Sequence, residues 1–301
     1  MDWKRWTWTT DDECKLKVFI VFLPGVVMLI LICVLLILIL LAALTLLALR
    51  CRRGGRGWEK LLGRRYAHRG WHDKPTIPEN SLPAFRRALA KGWGAELDVH
   101  LLKDGTLAVF HDSELKRCTG AEGIIEDLDR AGLAALRLEG TAEPVPLFDE
   151  VLALFEGKAP LIIELKAHGG NHRALTEAVT ARLDRYKGDF CVESFDPRVL
   201  MDLKKLRPQF VRGQLSMAFH AGDEGLPGWQ CFLLRNLLFN FLTVPDFIAF
   251  RYSDRRSPAL RRCRRCWGAR EASWTIRSKE ELTAAEADGA LPIFERFDPE
   301  A

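Results

Sequence analysis

Several side chains that can do chemistry lie close together between residues 66 and 112. His68 ends a short apolar run, and a histidine titrates near neutral pH and can take up or release a proton. The adjacent Arg69 carries a planar set of donors that matches a phosphate group. Glu96 and Asp98 point to one face of a strand, because strand side chains repeat every two residues. These residues predict a site where a histidine transfers protons beside two carboxylates and an arginine that can bind phosphate.

The pair Asp104-Gly105 predicts a β-hairpin that brings a second histidine to the same place. The pair separates two apolar runs, and Asp-Gly is favoured in two-residue type I′ turns. A two-residue turn here sets Asp98 directly across from His111, with both side chains on one face about 5 Å apart. Glu96, Asp98 and His111 are therefore expected to converge.

A further apolar run, residues 161–165, is expected to complete the site. Glu164 and Lys166 stand two positions apart and point to one face. Glu96, Asp98 and Glu164 offer the oxygen ligands that a hard divalent cation prefers, either Ca²⁺ or Mg²⁺. Lys166 would neutralise a phosphate beside that cation. The sequence thus predicts one divalent-cation site next to a phosphate site.

Other residues of the same types have simpler interpretations. Asn80 precedes a predicted helix, where asparagine is a favoured N-cap residue. His100 is expected at the rim of the site without binding the cation, and His72 in a solvated loop. Trp274 stands near the end of a predicted strand, where it either lines a substrate pocket or packs in the core.

Short apolar runs alternate with helical patterns through the rest of the chain. This alternation favours parallel strands, and the length is typical of a (β/α)₈ barrel in one domain. We therefore predict an α/β fold, a TIM barrel over residues 63–301, with a small cap insertion at about 113–146 above its C-terminal rim. Strands are predicted near 65–69, 94–99, 161–165, 190–194, 210–215, 247–251, 271–276 and 290–294. Helices are predicted near 80–91, 147–156, 171–186, 197–206, 229–241, 256–265 and 278–287.

Residues 18–49 form a run of thirty-two residues without a charge. About twenty apolar residues are enough to cross a bilayer, whereas a helix of a globular protein averages about twelve. A cleavable signal peptide has a shorter apolar region, about 7–15 residues, and a small-residue cleavage site, and neither is evident. We predict one transmembrane anchor at 18–49, after a flank at 1–17 and before a basic linker at 50–62.

Basic residues flank this segment unequally. Seven Lys or Arg follow it up to residue 65, and four precede it. The positive-inside rule then predicts that the C-terminal side, which carries the barrel, lies in the cytoplasm. The expected localisation is a single-pass membrane protein whose partner is the lipid bilayer.

Charge and cysteine usage narrow the function classes. The net charge is +4, and residues 1–65 hold eleven Lys or Arg against five Asp or Glu, which leaves 33 against 35 in the rest. A nucleic-acid-binding domain would carry a basic face of its own, so no nucleic-acid partner is expected. The eight cysteines do not follow a secreted disulfide pattern, and Cys263-x-x-Cys266 lacks the second ligand pair of a zinc site. Reduced thiols are expected.

An ordered set of motifs resembles a known family, the glycerophosphodiester phosphodiesterases, whose TIM barrel is related to that of the phospholipase C-like phosphodiesterases. Each motif is short, but together they occur in the family's order over about residues 66–276. The matching motifs are HRG at 68–70, PENS at 78–81, ELD at 96–98, KDG at 103–105, HD at 111–112, IELK at 163–166, ESF at 193–195 and SWTI at 273–276.

The resemblance implies an activity and a role for each candidate residue. It implies metal-dependent hydrolysis of a glycerophosphodiester or a lysophospholipid to an alcohol and a phosphomonoester such as glycerol 3-phosphate. Proton transfer would be shared by two histidines, and one divalent cation would be bound. The implied roles are acid–base catalysis by His68 and His111, metal binding by Glu96, Asp98 and Glu164, and substrate binding by Arg69, Lys166 and Glu79, with Trp274 at the pocket.

The chain departs from the family in two places. The usual last strand ends in Thr-Asp, whereas here the segment is Leu291–Arg296, which leaves the register of that strand open. The segment Trp229–Val244 is unusually apolar for an outer helix of a soluble barrel. It is an ordinary barrel helix with a buried face, a membrane-contacting surface, or a wall for an acyl chain. Contact with lipid would favour a lysophospholipid or another membrane phosphodiester as substrate.

Two other functions fit the same motifs. One is a barrel that binds phosphodiester headgroups without turnover, as a sensor or scaffold. The other is a sphingomyelinase D-like or phospholipase C-like lipid hydrolase, which differs in substrate and leaving group but not in architecture.

Overall fold

The computed structural model describes residues 10–53 and 57–301, which form two compact units that meet between Leu47 and Ala48. Most of the expected N-terminal flank and part of the basic linker lie outside the described residues. Helix α1 spans Thr10–Ala48. Its stretch Gly25–Ala48 is 24 residues long, contains an 18-residue window with a mean hydropathy of 3.6, and can cross a membrane by length and composition.

The second unit is built on a closed barrel of eight parallel strands, which confirms the predicted fold. Each barrel strand pairs in parallel with its neighbours, and β1 pairs with both β9 and β2, which closes the ring. The remaining strand, β3, pairs antiparallel with β2 outside the ring. The strands are β1 Tyr66–Ala67, β2 Gly94–Leu101, β3 Leu107–Val109, β4 Leu161–Leu165, β5 Phe190–Ser194, β6 Arg212–Ser216, β7 Phe247–Arg251, β8 Arg270–Ile276 and β9 Leu291–Phe294.

Helices follow most strands and cover the outside of the barrel. They are α2 Leu82–Ala90, α3 Lys116–Thr119, α4 Arg130–Ala135, α5 Phe148–Phe155, α6 His172–Leu183, α7 Pro197–Leu206, α8 Gly228–Arg235, α9 Asn240–Thr243, α10 Pro258–Trp267 and α11 Lys279–Ala287. The single helix predicted at 229–241 is wrong. The segment instead forms α8 and α9, because Leu237 adopts a left-handed conformation (φ 57°) that interrupts the helix between them.

The hairpin between β2 and β3 has a different register from the predicted one. Val99 pairs with Val109, and Asp98 faces Phe110, whose N–H donates to the Asp98 carbonyl. His111 is therefore not directly across from Asp98. The turn contains three residues, since the Gly105 N–H donates to the Leu102 carbonyl, and Gly105 takes the left-handed conformation (φ 85°) that such a turn requires.

Residues 113–146 carry α3 and α4 and pack around a small apolar cluster of their own. This cluster includes Leu115, Cys118, Ile125, Leu133 and Leu138, and it also takes in side chains from the β2–β3 hairpin. The segment follows β3 and so begins above the carboxyl ends of the barrel strands, where TIM-barrel sites are built.

The barrel interior is apolar at its base and polar at its mouth. Tyr66, Ile162 and Phe247 point inward in the lower part of the barrel, and Trp58 covers them from below with its ring 4.8 Å from that of Phe247. Gly213 makes room for Phe247, because a Cβ atom on Gly213 would lie 2.2 Å from the ring. The apolar base therefore supports a polar layer that the strands hold above it.

We expect Gly213→Ala to destabilise the barrel by about 1–3 kcal/mol, because the added methyl group overlaps the Phe247 ring and forces strands apart. Urea unfolding of the full chain in detergent, followed by near-UV circular dichroism, measures the change. Gly228→Ala is the control, since its nearest neighbour would be 3.5 Å away, an ordinary contact. Equal midpoints for the two variants would contradict this account of the barrel base.

Candidate active site

Three carboxylates lie side by side at the mouth of the barrel. Glu96 and Asp98 point inward from β2, and Glu164 points inward from β4, where it is the register partner of Asp98. One ligand oxygen from each lies within 4.8 Å of the other two, and all three side chains are buried. The predicted convergence of the three acids therefore arises from strand register alone.

The carboxylates strongly perturb one another. Burial, together with the charges of Asp98 and Glu164, raises the pKa of Glu96 well above its usual value. Burial raises the pKa of Glu164 to about 7, and the charge of Asp98 adds to the effect. Three buried like charges at this separation cannot all stay ionised unless a cation compensates them. The donor set consists of oxygens only and fits a hard divalent cation such as Ca²⁺ or Mg²⁺.

Asp98 also has partners of its own. Lys166 Nζ lies 3.1 Å from Asp98 Oδ1 and 2.6 Å from Glu164 Oε1. Asn80 Nδ2 donates to Asp98 Oδ2 at 2.8 Å. Burial opposes ionisation of Asp98, but the charge of Lys166 and these other contacts outweigh it and hold the pKa of Asp98 well below its usual value. Asp98 is thus the carboxylate of the cluster that stays ionised.

The N-cap interpretation of Asn80 is wrong. Ser81 is the N-cap of α2, because its hydroxyl accepts from the Ala84 N–H. Asn80 instead takes a left-handed conformation (φ 53°), which aims its amide at Asp98. The one sequence signal for this role of Asn80 is that asparagine, with its short side chain, tolerates the left-handed conformation.

Arg69 lies between the carboxylate cluster and a second acidic residue. Its backbone N–H donates to Glu96 Oε2 at 3.0 Å, and its Nη1 donates to Glu79 Oε1 at 2.7 Å. Gly70 makes the turn after it possible, since a Cβ atom there would lie 2.9 Å from the backbone of Ala84. The guanidinium is held at the edge of the site by Glu79.

His68 is partly buried, with its ring beside Glu96. Its Nε2 lies 3.9 Å from Glu96 Oε2, and its Nδ1 lies 3.9 Å from Glu295 Oε2. Burial, reinforced by the charge of Arg69, holds the pKa of His68 well below its usual value, which favours the neutral ring. Glu295 follows β9 directly, so the closure of the barrel places it here.

His111 forms a close pair with the next residue. Its Nδ1 lies 2.5 Å from Asp112 Oδ1, so the carboxylate accepts from Nδ1–H and leaves Nε2 as the nitrogen available to a substrate. Burial and the charge of Lys166 lower the pKa of His111, while the charges of Asp98 and Asp112 oppose this effect. His111 therefore remains within electrostatic reach of Asp98, although the hairpin register differs from the prediction.

Asp112 and Glu79 are joined through the cap. The Arg117 Nε donates to Asp112 Oδ2, and its Nη2 donates to Glu79 Oε1 at 2.7 Å. Lys74 Nζ bridges Glu79 and the cap residue Glu139, at 2.6 Å from each. Burial opposes ionisation of Glu79, but the hydrogen bond from Arg117 and the charge of Arg69 outweigh it and lower the pKa.

Glu79, Cys118 and Glu139 form a second acidic group. The network around it distinguishes it from the first group, which consists of Glu96, Asp98 and Glu164. The second group already holds Lys74 and Arg117 against its carboxylates. Its charge is compensated by side chains, whereas burial and neighbouring carboxylates keep the pKa values of Glu96 and Glu164 raised even with Lys166 beside the first group. The first group is the candidate metal centre.

Trp274 lies on β8 near the mouth and is half-buried. Its ring is 5.7 Å from that of Phe195, in an edge-to-face arrangement. Its indole Nε1 has no hydrogen-bond partner among the described residues. The indole Nε1 is therefore a buried donor near the mouth of the barrel.

The expectation that His72 lies in a solvated loop is wrong. His72 is buried, and its Nε2 lies 3.4 Å from Glu295 Oε1. The error arises because Glu295, which covers the ring, is distant from it in sequence. His100 is also buried, with Nδ1 2.6 Å from Glu126 of the cap and Nε2 3.2 Å from the His111 carbonyl, and it does not belong to the carboxylate cluster.

Sequence reasoning assigned no role to several residues that complete the site. They are Asp112 and Glu295, which lie beside the two histidines, Arg117, which holds Asp112, and Glu193 on β5, whose buried carboxyl faces Glu164. Burial, with the charges of Glu164 and Asp98, raises the pKa of Glu193 well above its usual value. Asp112 stands within the HD motif and Glu193 within the ESF motif, so the sequence offered a signal for these two residues.

A closed parallel barrel with acid–base, cationic and metal-type side chains gathered at the carboxyl ends of its strands is a TIM-barrel protein with an enzyme-like site. The sequence matches the model of the glycerophosphoryl diester phosphodiesterase family over residues 68–242, more than half of the chain. The chain belongs to this family.

Characterised relatives match over part of their length. A glycerophosphodiester phosphodiesterase of Bacillus altitudinis is 34% identical over 163 residues, which are 50% of this chain and 66% of the relative. A lysophospholipase D, GDPD1 of Rattus norvegicus, is 32% identical over 142 residues, 43% of each chain. The chain therefore spans less than two thirds of either relative.

Solved structures share the fold. A phosphodiesterase of Oleispira antarctica, in complex with sn-glycerol-3-phosphate, aligns with a TM-score of 0.62 at 23% identity, covering 79% of this chain and 94% of that one. A glycerophosphodiester phosphodiesterase of Thermotoga maritima aligns with a TM-score of 0.57 at 25% identity, covering 77% and 94%. The alignments agree with the closed barrel described above.

We expect Glu96→Gln to weaken binding of Mg²⁺ or Ca²⁺ by at least about tenfold, because it removes one of three carboxylate ligands. Isothermal titration calorimetry of the full chain in detergent measures the affinity. Glu139→Gln is the control and should leave it unchanged, since that residue belongs to the group already paired with Lys74. A larger loss in the control would place the cation in the second group.

Proposed function

We propose that the protein is a membrane-anchored, metal-dependent phosphoric diester hydrolase. It takes glycerophosphodiesters or lysophospholipids and releases an alcohol and a phosphomonoester such as glycerol 3-phosphate. One observation carries the proposal: two partly buried histidines, each with a carboxylate near its Nδ1, border one buried cluster of three carboxylates whose oxygens suit a cation. The names of the relatives and the bound product of the Oleispira antarctica structure support the same substrate class.

Binding of the phosphodiester would rest on cations at the mouth. Glu96, Asp98 and Glu164 would hold one divalent cation, whose charge would stabilise the negative oxygens on phosphorus. Lys166 lies against this cluster and would contact the same phosphate, and Arg69 would reach it from the other side of Asp98. Glu79 would orient the Arg69 guanidinium and not contact phosphate itself, because its oxygens already accept from three cations.

The two histidines would share the proton transfers. The attacking oxygen loses a proton to one ring as its bond to phosphorus forms, and the alcohol oxygen gains a proton from the other ring as its bond to phosphorus breaks. Hydrolysis consumes one water molecule overall. Asp112 would hold the His111 ring with Nε2 toward the substrate, and Glu295, directly after β9, would face the His68 ring.

The anchor part of the proposal rests on α1. Its apolar stretch has the length and hydropathy of a membrane span, and the excess of basic residues after it supports a barrel on the cytoplasmic side. An anchored enzyme would meet phosphodiesters at the surface of the bilayer as well as in solution.

We expect His68→Ala and His111→Ala each to lower kcat by about 10²–10⁴-fold, because each removes a proton-transfer group. Release of glycerol 3-phosphate from glycerophosphocholine and from lysophosphatidylcholine, measured with the full chain, checks this. His220→Ala, an exposed histidine in a loop, should be unchanged, and chelation should abolish turnover reversibly. Binding of these compounds without turnover by the unmodified chain would favour the non-catalytic alternative.

We expect Arg117→Ala to lower kcat by about 10- to 100-fold with little change in KM, because Arg117 positions Asp112 and Glu79 without reaching the substrate. Added guanidinium should restore part of the lost activity in this variant. Lys116→Ala, which removes the neighbouring cation from an exposed pair with Glu122, is the control. Loss of activity that guanidinium cannot restore, together with a lowered melting temperature, would assign Arg117 a purely structural role.

A further inference from the structure

The exposed apolar surface of the barrel unit is concentrated on one short segment. Among its described residues, four large hydrophobic side chains are exposed, and three of them lie on α8 and α9: Trp229 at 62%, Phe232 at 50% and Phe241 at 45%. The fourth, Leu62, lies before β1. Scattered single residues of this kind need no explanation, whereas aromatic residues gathered on one element indicate a contact surface.

The fold of this segment separates its two faces. Cys231, Leu234 and Leu237 turn toward the barrel and are buried. Leu237 belongs to the apolar segment Trp229–Val244, but its side chain is buried at 1% and cannot contact lipid. We call the outward set of Trp229, Phe232 and Phe241 the aromatic face.

The charges around the aromatic face suit a lipid headgroup layer. From Gly228 to Val244 the sequence has no acidic residue and one basic residue, Arg235. The Arg235 guanidinium lies 5.4 Å from the centre of the Phe232 ring. Aromatic rings beside an arginine are the side chains that anchor proteins in the interfacial layer of a bilayer, where the ring is half-immersed and the cation reaches phosphate.

The chain itself ties this side of the barrel to the apolar helix. Leu49 is covalently next to Ala48, the last residue of α1, and is already buried at 1% in a cluster with Leu237 of the α8–α9 segment and Cys263 of α10. The adjoining Cys51 Sγ accepts from Asn240 Nδ2 of α9.

Arg52, the residue after Cys51, makes further contacts with the barrel. The Arg52 N–H donates to the Pro245 carbonyl at 2.8 Å, and its guanidinium pairs with the buried Asp246. The residues that directly follow α1 therefore pack beside the α8–α9 segment within the barrel unit.

We propose that the aromatic face lies in the interfacial layer of the bilayer in which α1 is anchored. This inference rests on the anchoring part of the proposed function, and not on its chemistry. An apolar contact path runs from the buried side of α8 to the mouth of the barrel: Leu234 packs with Phe219, whose ring is 5.8 Å from Phe195, and Phe195 contacts Trp274. A phosphodiester with an acyl chain would reach the site along this side.

Photocrosslinking of the full chain in nanodiscs of phosphatidylcholine and phosphatidylglycerol tests the proposal. Phe232 or Phe241 is replaced by p-benzoylphenylalanine, and adducts are identified by mass spectrometry. Arg86 is the control position. It is exposed on α2, which connects β1 to β2 and so lies across the ring from the connection between β6 and β7.

Lipid adducts at positions 232 and 241, and at most a tenth as many at 86, are the expected result. Three results would overturn the proposal. Stable incorporation without an excess of lipid adducts at 232 and 241 refutes it alone and leaves the anchor intact. Adducts between two copies of the chain assign the aromatic face to self-association. Extraction of the chain from nanodiscs by high salt refutes the anchor and the proposal together.

Discussion

The mouth of the barrel depends on one electrostatic constraint. Three carboxylates, Glu96, Asp98 and Glu164, are buried with their oxygens within 4.8 Å of one another. Parallel register forces the closest pair together, because Asp98 and Glu164 are neighbours across β2 and β4. Such a cluster is stable only if cations surround it, and the sequence provides Lys166 and Arg69 on two sides. A divalent cation would compensate the negative charge of the cluster that remains.

The charged residues around the three carboxylates form a connected network. Arg69 is shared between the cluster and Glu79, and Glu79 is shared in turn with Arg117 and Lys74. Arg117 also holds Asp112, which pairs with His111. An unbroken chain of ion pairs therefore joins Arg69 on the β1 loop, a proposed phosphate ligand, to His111 beyond β3. The cap insertion supplies the joining residue, so the order of the cap and the geometry of the site are coupled.

The barrel and the carboxylates could be predicted because both follow from local periodicity. The limits of β4, β5 and β7 agree with the predicted residues, and two-residue alternation identified the inward carboxylates. The predicted hairpin register was wrong because the same Asp-Gly pair can occur in a two-residue turn or in a three-residue turn. The hydrogen bond from the Gly105 N–H identifies the three-residue turn.

The residues that were missed depend on contacts between distant loops. Glu295 reaches His68 only because β9 closes the barrel against β1, and Arg117 reaches Glu79 only because of the path that the cap takes. The break of helix at Leu237 also has no signal in the sequence, since leucine rarely adopts a positive φ. Each of these features requires tertiary structure that periodicity does not encode.

Anomalous diffraction from crystals of the full chain grown with Ca²⁺ tests the central claim most directly. We predict one strong peak among Glu96, Asp98 and Glu164, about 2.3–2.6 Å from their oxygens, with Lys166 retained beside the cluster. A peak at Glu79 and Glu139 instead, or no peak while Lys166 alone compensates the three carboxylates, would contradict the assignment of this cluster as the metal centre.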